Sequence, residues 1–215
     1  MTRHMLLVVV ALIACKKKQT DEPAKPVGSG SAVVVAPDAA VVDAADANDA
    51  AAAGGLDPGT LSTPESVLYD EGRDMYMVAN IAGKPTDVDD NGYLTVVNPD
   101  GSNARANANW KWIAGEAGDI ELDAPKGMAI SGDTLYVADI TVVRRFEAKA
   151  GKQKDDVKIA GATFLNDVTP DGNGGVFVSD SGLDADFSPN GSDAVYHVDA
   201  AGKVTTRIKQ KDLGG

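Results

Sequence analysis

One phrase recurs three times along this chain, and it limits the fold more than any other feature. An apolar run leads through a Gly or Asp turn to an aromatic and valine-rich strand that ends at an acidic or amide residue. The copies run from Pro64-Glu65-Ser66-Val67-Leu68-Tyr69-Asp70 to Met75-Tyr76-Met77-Val78-Ala79-Asn80, from Pro125-Lys126-Gly127-Met128-Ala129-Ile130 to Leu135-Tyr136-Val137-Ala138-Asp139, and from Leu165-Asn166-Asp167-Val168 to Val176-Phe177-Val178-Ser179-Asp180. Counting from the first residue to the aromatic (Tyr76, Tyr136, Phe177) gives offsets of 12, 11 and 12. Each copy alternates as two strands joined by a tight turn do. Further strand pairs follow, such as Tyr93 to Val97 before the turn Asn98-Pro99-Asp100-Gly101, and Ala194 to Val198 before Ala201-Gly202.

Four short strands per repeat, with repeats 61 and 40 residues apart, match the blades of a β-propeller. The expected fold is therefore all-β, with blades near residues 63–120, 121–162 and 163–215. Three blades cannot close a ring, because both ends would leave unpaired strand edges. The expectation is about three blades of a larger disc, with Asp212-Leu213-Gly214-Gly215 approaching a fourth copy.

The N-terminal residues are of a different kind. Residues 1–14 carry Arg3 and His4 and then an apolar run from Met5 to Ala14, and Leu12-Ile13-Ala14 stand before Cys15. The run is shorter than the roughly 20 residues a membrane-spanning helix needs, and its charged start and small-residue end suit an export signal. Cys15 is the sole cysteine and sits where a bacterial lipoprotein signal requires it. Lipidation there, with more than one acyl chain, would hold the protein on a membrane of the cell envelope, at its periplasmic or outer surface. No thiol would then remain for catalysis or a disulfide. Beyond Cys15, residues 16–59 are rich in Ala, Asp, Val, Pro and Gly and contain no aromatic residue. Such a segment buries too little apolar surface to offset chain entropy. Residues 15–59 are thus expected to form a disordered tether, with a coil dimension of roughly 35 Å.

The net charge of −12 argues against a nucleic-acid partner. With only His4 and His197, a Ser-His-Asp triad or a multi-histidine zinc site is close to excluded, and His197 alternates with strand residues as a surface position does. Acid–base chemistry would fall to carboxylates, lysine or metal-bound water.

Within the repeat, the position after the leading Pro or Leu changes from Glu65 to Lys126 to Asn166, each polar in an apolar setting. Rotation about a central channel would bring the three to one ring near its mouth. Oxygen donors without sulfur or imidazole suit a hard cation such as calcium. Lys126 would instead pair with Glu65 or receive an anionic substrate group. The plainer alternative is that blade-entry turns tolerate polar residues.

The first copy, with Glu65 leading to Asn80-Ile81, and the third, with Asn166-Asp167-Val168-Thr169-Pro170-Asp171-Gly172-Asn173-Gly174 leading to Phe177 and Asp180, resemble blades of the senescence-marker-protein (regucalcin) and gluconolactonase family. The resemblance covers Thr63 to Gly215. It implies a six-bladed propeller with a divalent cation, usually calcium, in its channel, and a lactone hydrolase activity. By the same resemblance Glu65 is a metal ligand and Asn166 a substrate contact. The family's other metal ligands, an Asn in a Pro-Asn-Gly entry and an Asp of a later blade, have no counterpart here. Asn80 replaces the family's Asp, and Lys126 brings positive charge toward the channel. Related NHL-type propellers share the blade pattern without being enzymes, so a non-catalytic propeller that binds a protein or cell-envelope ligand is the second reading.

Three further segments carry readings of their own. Asp87, Asp89 and Asn91 match the first half of an EF-hand loop, but the twelfth position is Asn98 rather than a bidentate Glu, which favours a solvated acidic turn over a second calcium site. The loop from Gly182 to Gly191 is long for a hairpin and would flank the channel mouth or stand as an insertion. Trp110 and Trp112, alternating with Lys111, read as blade packing.

Overall fold

The computed structural model describes residues 60–105 and 110–210. Cys15 and the tether lie outside the described residues. Among the described residues there are twelve strands. The first four are β1 (Pro64–Asp70), β2 (Met75–Asn80), β3 (Tyr93–Val97) and β4 (Lys111–Ala114). The next four are β5 (Pro125–Ser131), β6 (Thr134–Asp139), β7 (Val142–Glu147) and β8 (Val157–Lys158). The last four are β9 (Leu165–Pro170), β10 (Val176–Asp180), β11 (Ala194–Val198) and β12 (Val204–Lys209).

They form three four-stranded antiparallel sheets, each ordered as its strands follow in the chain, which is the meander of a propeller blade. The first strands of the sheets are neighbours, with β5 packed between β1 and β9. These inner strands therefore lie side by side across the three blades.

Turn chemistry sets the registers. Gly132 adopts φ 62° in the two-residue link between Ser131 and Thr134, a conformation a side chain would strain. In the third blade the Asp171 carboxylate accepts the backbone N–H groups of Asn173 (2.7 Å) and Gly175 (2.9 Å), which shapes the bend before β10.

Two apolar cores lie between the blades. Met77, Ala79, Leu94 and Ile113 of the first blade meet Met128, Leu135, Val137 and Phe146 of the second. Ala129, Tyr136, Ala138 and Val143 of the second meet Val168, Val176, Val178, Tyr196 and Val198 of the third. Polar contacts add to each junction. Ser66 Oγ donates to the Lys126 carbonyl at 2.6 Å, and the Tyr136 hydroxyl donates to the Gly174 carbonyl at 2.7 Å.

The register also corrects the alignment of the repeats. The residues three before Asn80, Asp139 and Asp180 are Met77, Tyr136 and Phe177, and they pair with Leu68, Ala129 and Thr169 of the inner strands. Met77, not Tyr76, is thus the counterpart of Tyr136. Because strand side chains alternate, the one-residue slip turns Tyr76 to the opposite face. Tyr76 is 37% exposed and packs its ring on Tyr69 at 5.0 Å, while Met77 is fully buried.

Candidate functional site

Each inner strand is irregular at the same place. Pairing breaks between Pro64 and Ser66 in β1, between Pro125 and Met128 in β5, and opposite Val178 and Asp180 in β9. The residues at these bulges are Glu65, Lys126 and Asn166, the three polar positions that vary between repeats. A bulge re-aims a side chain out of the pleat, which is why it recurs where strands serve a site.

The structure gives the three different surroundings. Glu65 is exposed, yet burial by its neighbours raises its carboxyl above the usual range; the Lys126 ammonium opposes that rise and the Asp167 carboxylate adds to it. Lys126 is only 1% exposed. Its Nζ donates to the Ala124 carbonyl at 2.9 Å and stands 4.7 Å from the centre of the Phe164 ring. Burial pushes this ammonium down to about 8, against the pull of Asp139, Glu65 and Asp123. Its charge is therefore held inside the fold. Asn166 is partly buried, and its Nδ2 donates to Ser181 Oγ at 3.3 Å. Ser181 stands where the first two blades have Ile81 and Ile140, so this partner for Asn166 belongs to the third blade alone.

The acidic or amide residue that ends the second strand of each repeat has a structural task. Asn80 Oδ1 accepts the N–H of Ser62 at 3.0 Å. Asp139 accepts those of Asp123 (3.1 Å) and Ala124 (2.7 Å), and Asp180 accepts those of Thr163, Phe164 and Gly182 at 2.9 to 3.0 Å. Each clamps the chain as it enters its blade. Asn80 does this without charge, and its Nδ2 donates to the Val78 carbonyl and Thr95 Oγ1. Asp139 pairs with the buried Arg144 at 2.7 Å, and Arg144 also reaches Glu121, Asp123 and Asp156 at 2.8 to 3.1 Å. Burial works against the Arg144 cation, but the bonds from Asp139, Asp156 and Glu121 outweigh it and hold its proton more tightly than usual. Neither this network nor its link to the loop before β5 was legible beforehand; Arg144 and Glu121 sit in unremarkable sequence.

A calcium ion would need more donors than converge here. Among the described residues no three His, Cys, Asp or Glu side chains come together to hold a metal. Glu65 faces an ammonium, and the Asn166 amide is engaged by Ser181. The residues present do not fit a complete cation site.

Asp87, Asp89 and Asn91 belong to a loop with bonds of its own. Asn91 Nδ2 donates to Asp89 Oδ2 at 2.7 Å, and the intervening Asp90 exchanges bonds with the strand-entry segment, its N–H to Asp123 and its carboxylate from Leu122 N–H. Asn91 Oδ1 is buried with no partner. The Gly182–Gly191 loop folds onto the blade entry: Asn190 Nδ2 reaches Thr163 Oγ1 at 3.2 Å, and Phe187 meets Phe164 edge-on at 5.9 Å. Phe164 thus touches both this loop and Lys126. His197 lies on the strand surface, with its ring between Asp171 Oδ2 (2.7 Å) and Arg207 (3.1 Å). Trp112 packs on the first core under Arg73, and Trp110 meets Tyr93 edge-on.

No family model matches the sequence, and no curated protein matches it. Among solved structures, a gluconolactonase from Xanthomonas campestris aligns with 69% of this chain and 48% of its own, at 20% identity and a TM-score of 0.47. A luciferin-regenerating enzyme aligns with 69% of this chain and 48% of its own, at 13% identity and a TM-score of 0.47. The chain spans about half the length of these structures.

Proposed function

We propose that this chain is a non-catalytic propeller module, held on a membrane through lipid on Cys15, that binds a protein or glycan of the cell envelope on the face built by its blade-entry loops. The observation that carries the reading is the placement of Lys126. Its ammonium is spent on the Ala124 carbonyl and the Phe164 ring, so the bulge ring contributes a structural cation rather than an acid, base or anion receptor. The Gly182–Gly191 loop seated on Phe164 widens the entry face beside it. The test uses the full chain with isolated cell-wall sacculi and detergent-solubilised envelope proteins as probes. Co-sedimentation or capture that survives Glu65→Ala supports the reading, and lack of binding to both probes overturns it. For the anchor, Cys15→Ser is expected to release the protein from the membrane fraction; unchanged membrane recovery counts against lipidation there.

A second reading has one observation in its favour. Asp167 crowds Glu65 with like charge, and a divalent cation would relieve that crowding. On this reading calcium and further donors complete a lactone hydrolase site, with Glu65 as ligand and Asn166 toward substrate. Calcium-dependent opening of glucono-δ-lactone, lost in Glu65→Ala, would establish it and displace the first.

A further inference from the structure

The sequence holds three Asn-Gly pairs, Asn91-Gly92, Asn173-Gly174 and Asn190-Gly191. An asparagine before glycine is open to attack on its own carboxamide by the next backbone nitrogen, because glycine has no side chain to block the approach and leaves the chain free to turn. A fold permits that attack where the carboxamide is exposed and free to rotate and where the following N–H is not already bonded.

The three pairs meet these conditions unequally. Gly92 donates its N–H to the Leu122 carbonyl at 2.9 Å, and an added Cβ there would overlap Pro125, so this pair is both tied and packed. Asn190 is exposed, but its carboxamide is held at both ends. Its Oδ1 accepts the Ser192 N–H at 3.0 Å, and its Nδ2 donates to Thr163 Oγ1 at 3.2 Å and Asp184 Oδ1 at 2.9 Å. Asn173 is exposed as well, and its carboxamide makes one long bond, from Nδ2 to the Asp171 carbonyl at 3.3 Å. Among the described residues no acceptor takes the Gly174 N–H, and Gly174 sits at φ 90°.

Asn173 lies in the turn between β9 and β10. The same turn is exposed in the first two blades, at Glu71-Gly72 and at Gly132-Asp133, although another blade follows each. Access to Asn173 therefore belongs to the turn and not to the position of its blade. The turn also holds a junction together. The Asp171 carboxylate gathers the N–H groups of Asn173 and Gly175, and the Gly174 carbonyl accepts the hydroxyl of the buried Tyr136 across the second junction at 2.7 Å.

We propose that Asn173 is a site of spontaneous deamidation, and that its conversion to isoaspartate loosens the junction between the second and third blades. Hydroxide removes the Gly174 amide proton, and the nitrogen attacks Asn173 Cγ. The N–Cγ bond forms as the Cγ–Nδ2 bond breaks, and Nδ2 takes a proton from water and leaves as ammonia. Water then opens the cyclic imide. Cleavage of the N–Cγ bond leaves aspartate, whereas cleavage between the Gly174 nitrogen and the main-chain carbonyl carbon of residue 173 leaves isoaspartate. In isoaspartate the main chain runs through Cβ and Cγ and is longer by one atom, which carries the Gly174 carbonyl away from Tyr136. Both products set a new carboxylate beside Asp171.

The test warms the full chain in mildly alkaline buffer and follows its peptides by mass spectrometry with electron-transfer fragmentation, which tells isoaspartate from aspartate. The gain of about 1 Da that marks an amide turned acid is expected at Asn173. It should appear there at least about fivefold faster than at Asn190 or Asn91, since each of those breaks a further hydrogen bond before it reacts. In urea the difference should collapse. Equal rates in the folded chain, or a ranking that survives urea unchanged, would overturn the assignment of the site. The isoaspartate form, separated by ion exchange, is expected to melt about 2–5 °C below the fresh chain by circular dichroism, as Tyr136 loses its acceptor. In Tyr136→Phe, which has no hydroxyl to lose, the further drop on conversion should be smaller. An unchanged midpoint in the converted wild-type chain, or an equal drop in the variant, would overturn the effect on the junction.

Discussion

Lys126 shows how far one residue's role can shift once its surroundings are known. The sequence placed it beside Glu65 and Asn166 as a polar ring position, and register confirms that the three are equivalent. Its direction was not legible, because nothing local marks Phe164, 38 positions further on, as the surface it covers. The buried ammonium has a consequence for stability. Below pH 8 Lys126 is charged in both folded and unfolded chains, and the folded state bears the desolvation. Between about 8 and the ordinary value of 10.5 the folded state sheds the proton while the unfolded state keeps it, so stability rises with pH across that window. The displacement corresponds to at most about 3 kcal/mol. Lys126→Met, which fills the same space without charge, is expected to stabilise the chain by about 1–3 kcal/mol at pH 7 and to flatten the rise between pH 8 and 10.5. Denaturant midpoints at both ends of that window measure it, and an unchanged pH slope in the variant would reject this account. Lys126→Ala is a poorer probe, since it adds a cavity.

At the scale of strands and turns, most of the fold could be read in advance, and the exceptions have physical causes. Alternation and turn residues located the paired strands of each repeat, including the Asn98–Gly101 turn, where Gly101 N–H bonds the Asn98 carbonyl at 2.9 Å. The aromatic marker misled in the first blade. Tyr76 and Tyr136 look alike in sequence, but β2 has one more residue between its aromatic and its clamp than β6 has. Counting back from Asn80, Asp139 and Asp180 gives the right register, because the clamp is fixed by bonds to the blade entry rather than by side-chain type. The clamp is an amide in Asn80, a carboxylate paired with Arg144 in Asp139, and a carboxylate that accepts three backbone N–H groups in Asp180. The acid or amide ending each repeat is part of the recurring phrase, and its observed work is to hold backbone. The sequence could not separate these roles, since a carboxylate that accepts N–H groups and one that binds a ligand are the same residue type.

At the largest scale the described residues form a row of sheets in which the middle blade packs against both others, so the mechanics of this part depend on two junctions. They differ at the axis. In the first junction the facing position is Ser66, whose hydroxyl bonds the Lys126 carbonyl, so the spacing admits a side chain. In the second it is Gly127, where an added Cβ would overlap Asp167 Oδ1 and lie 2.6 Å from Asp167 Cα and 2.9 Å from the Asn166 carbonyl oxygen. Turning the Asp167 side chain clears only the first of these, so Gly127→Ala must force β5 and β9 apart. The expected cost is about 1–3 kcal/mol, and it falls on the coupling of the third blade rather than on the first two. Both tryptophans, Trp110 and Trp112, precede the second blade, and Trp112 reports on the first core, while far-UV circular dichroism reports on all three sheets. In the wild-type chain the two signals should be lost together on heating. In Gly127→Ala the circular dichroism should begin to fall at a lower temperature than the tryptophan fluorescence, as the third blade melts while the first core persists. Coincident transitions in the variant would show that the blades unfold as one unit despite the spread junction, and that the close approach at Gly127 is not what couples them.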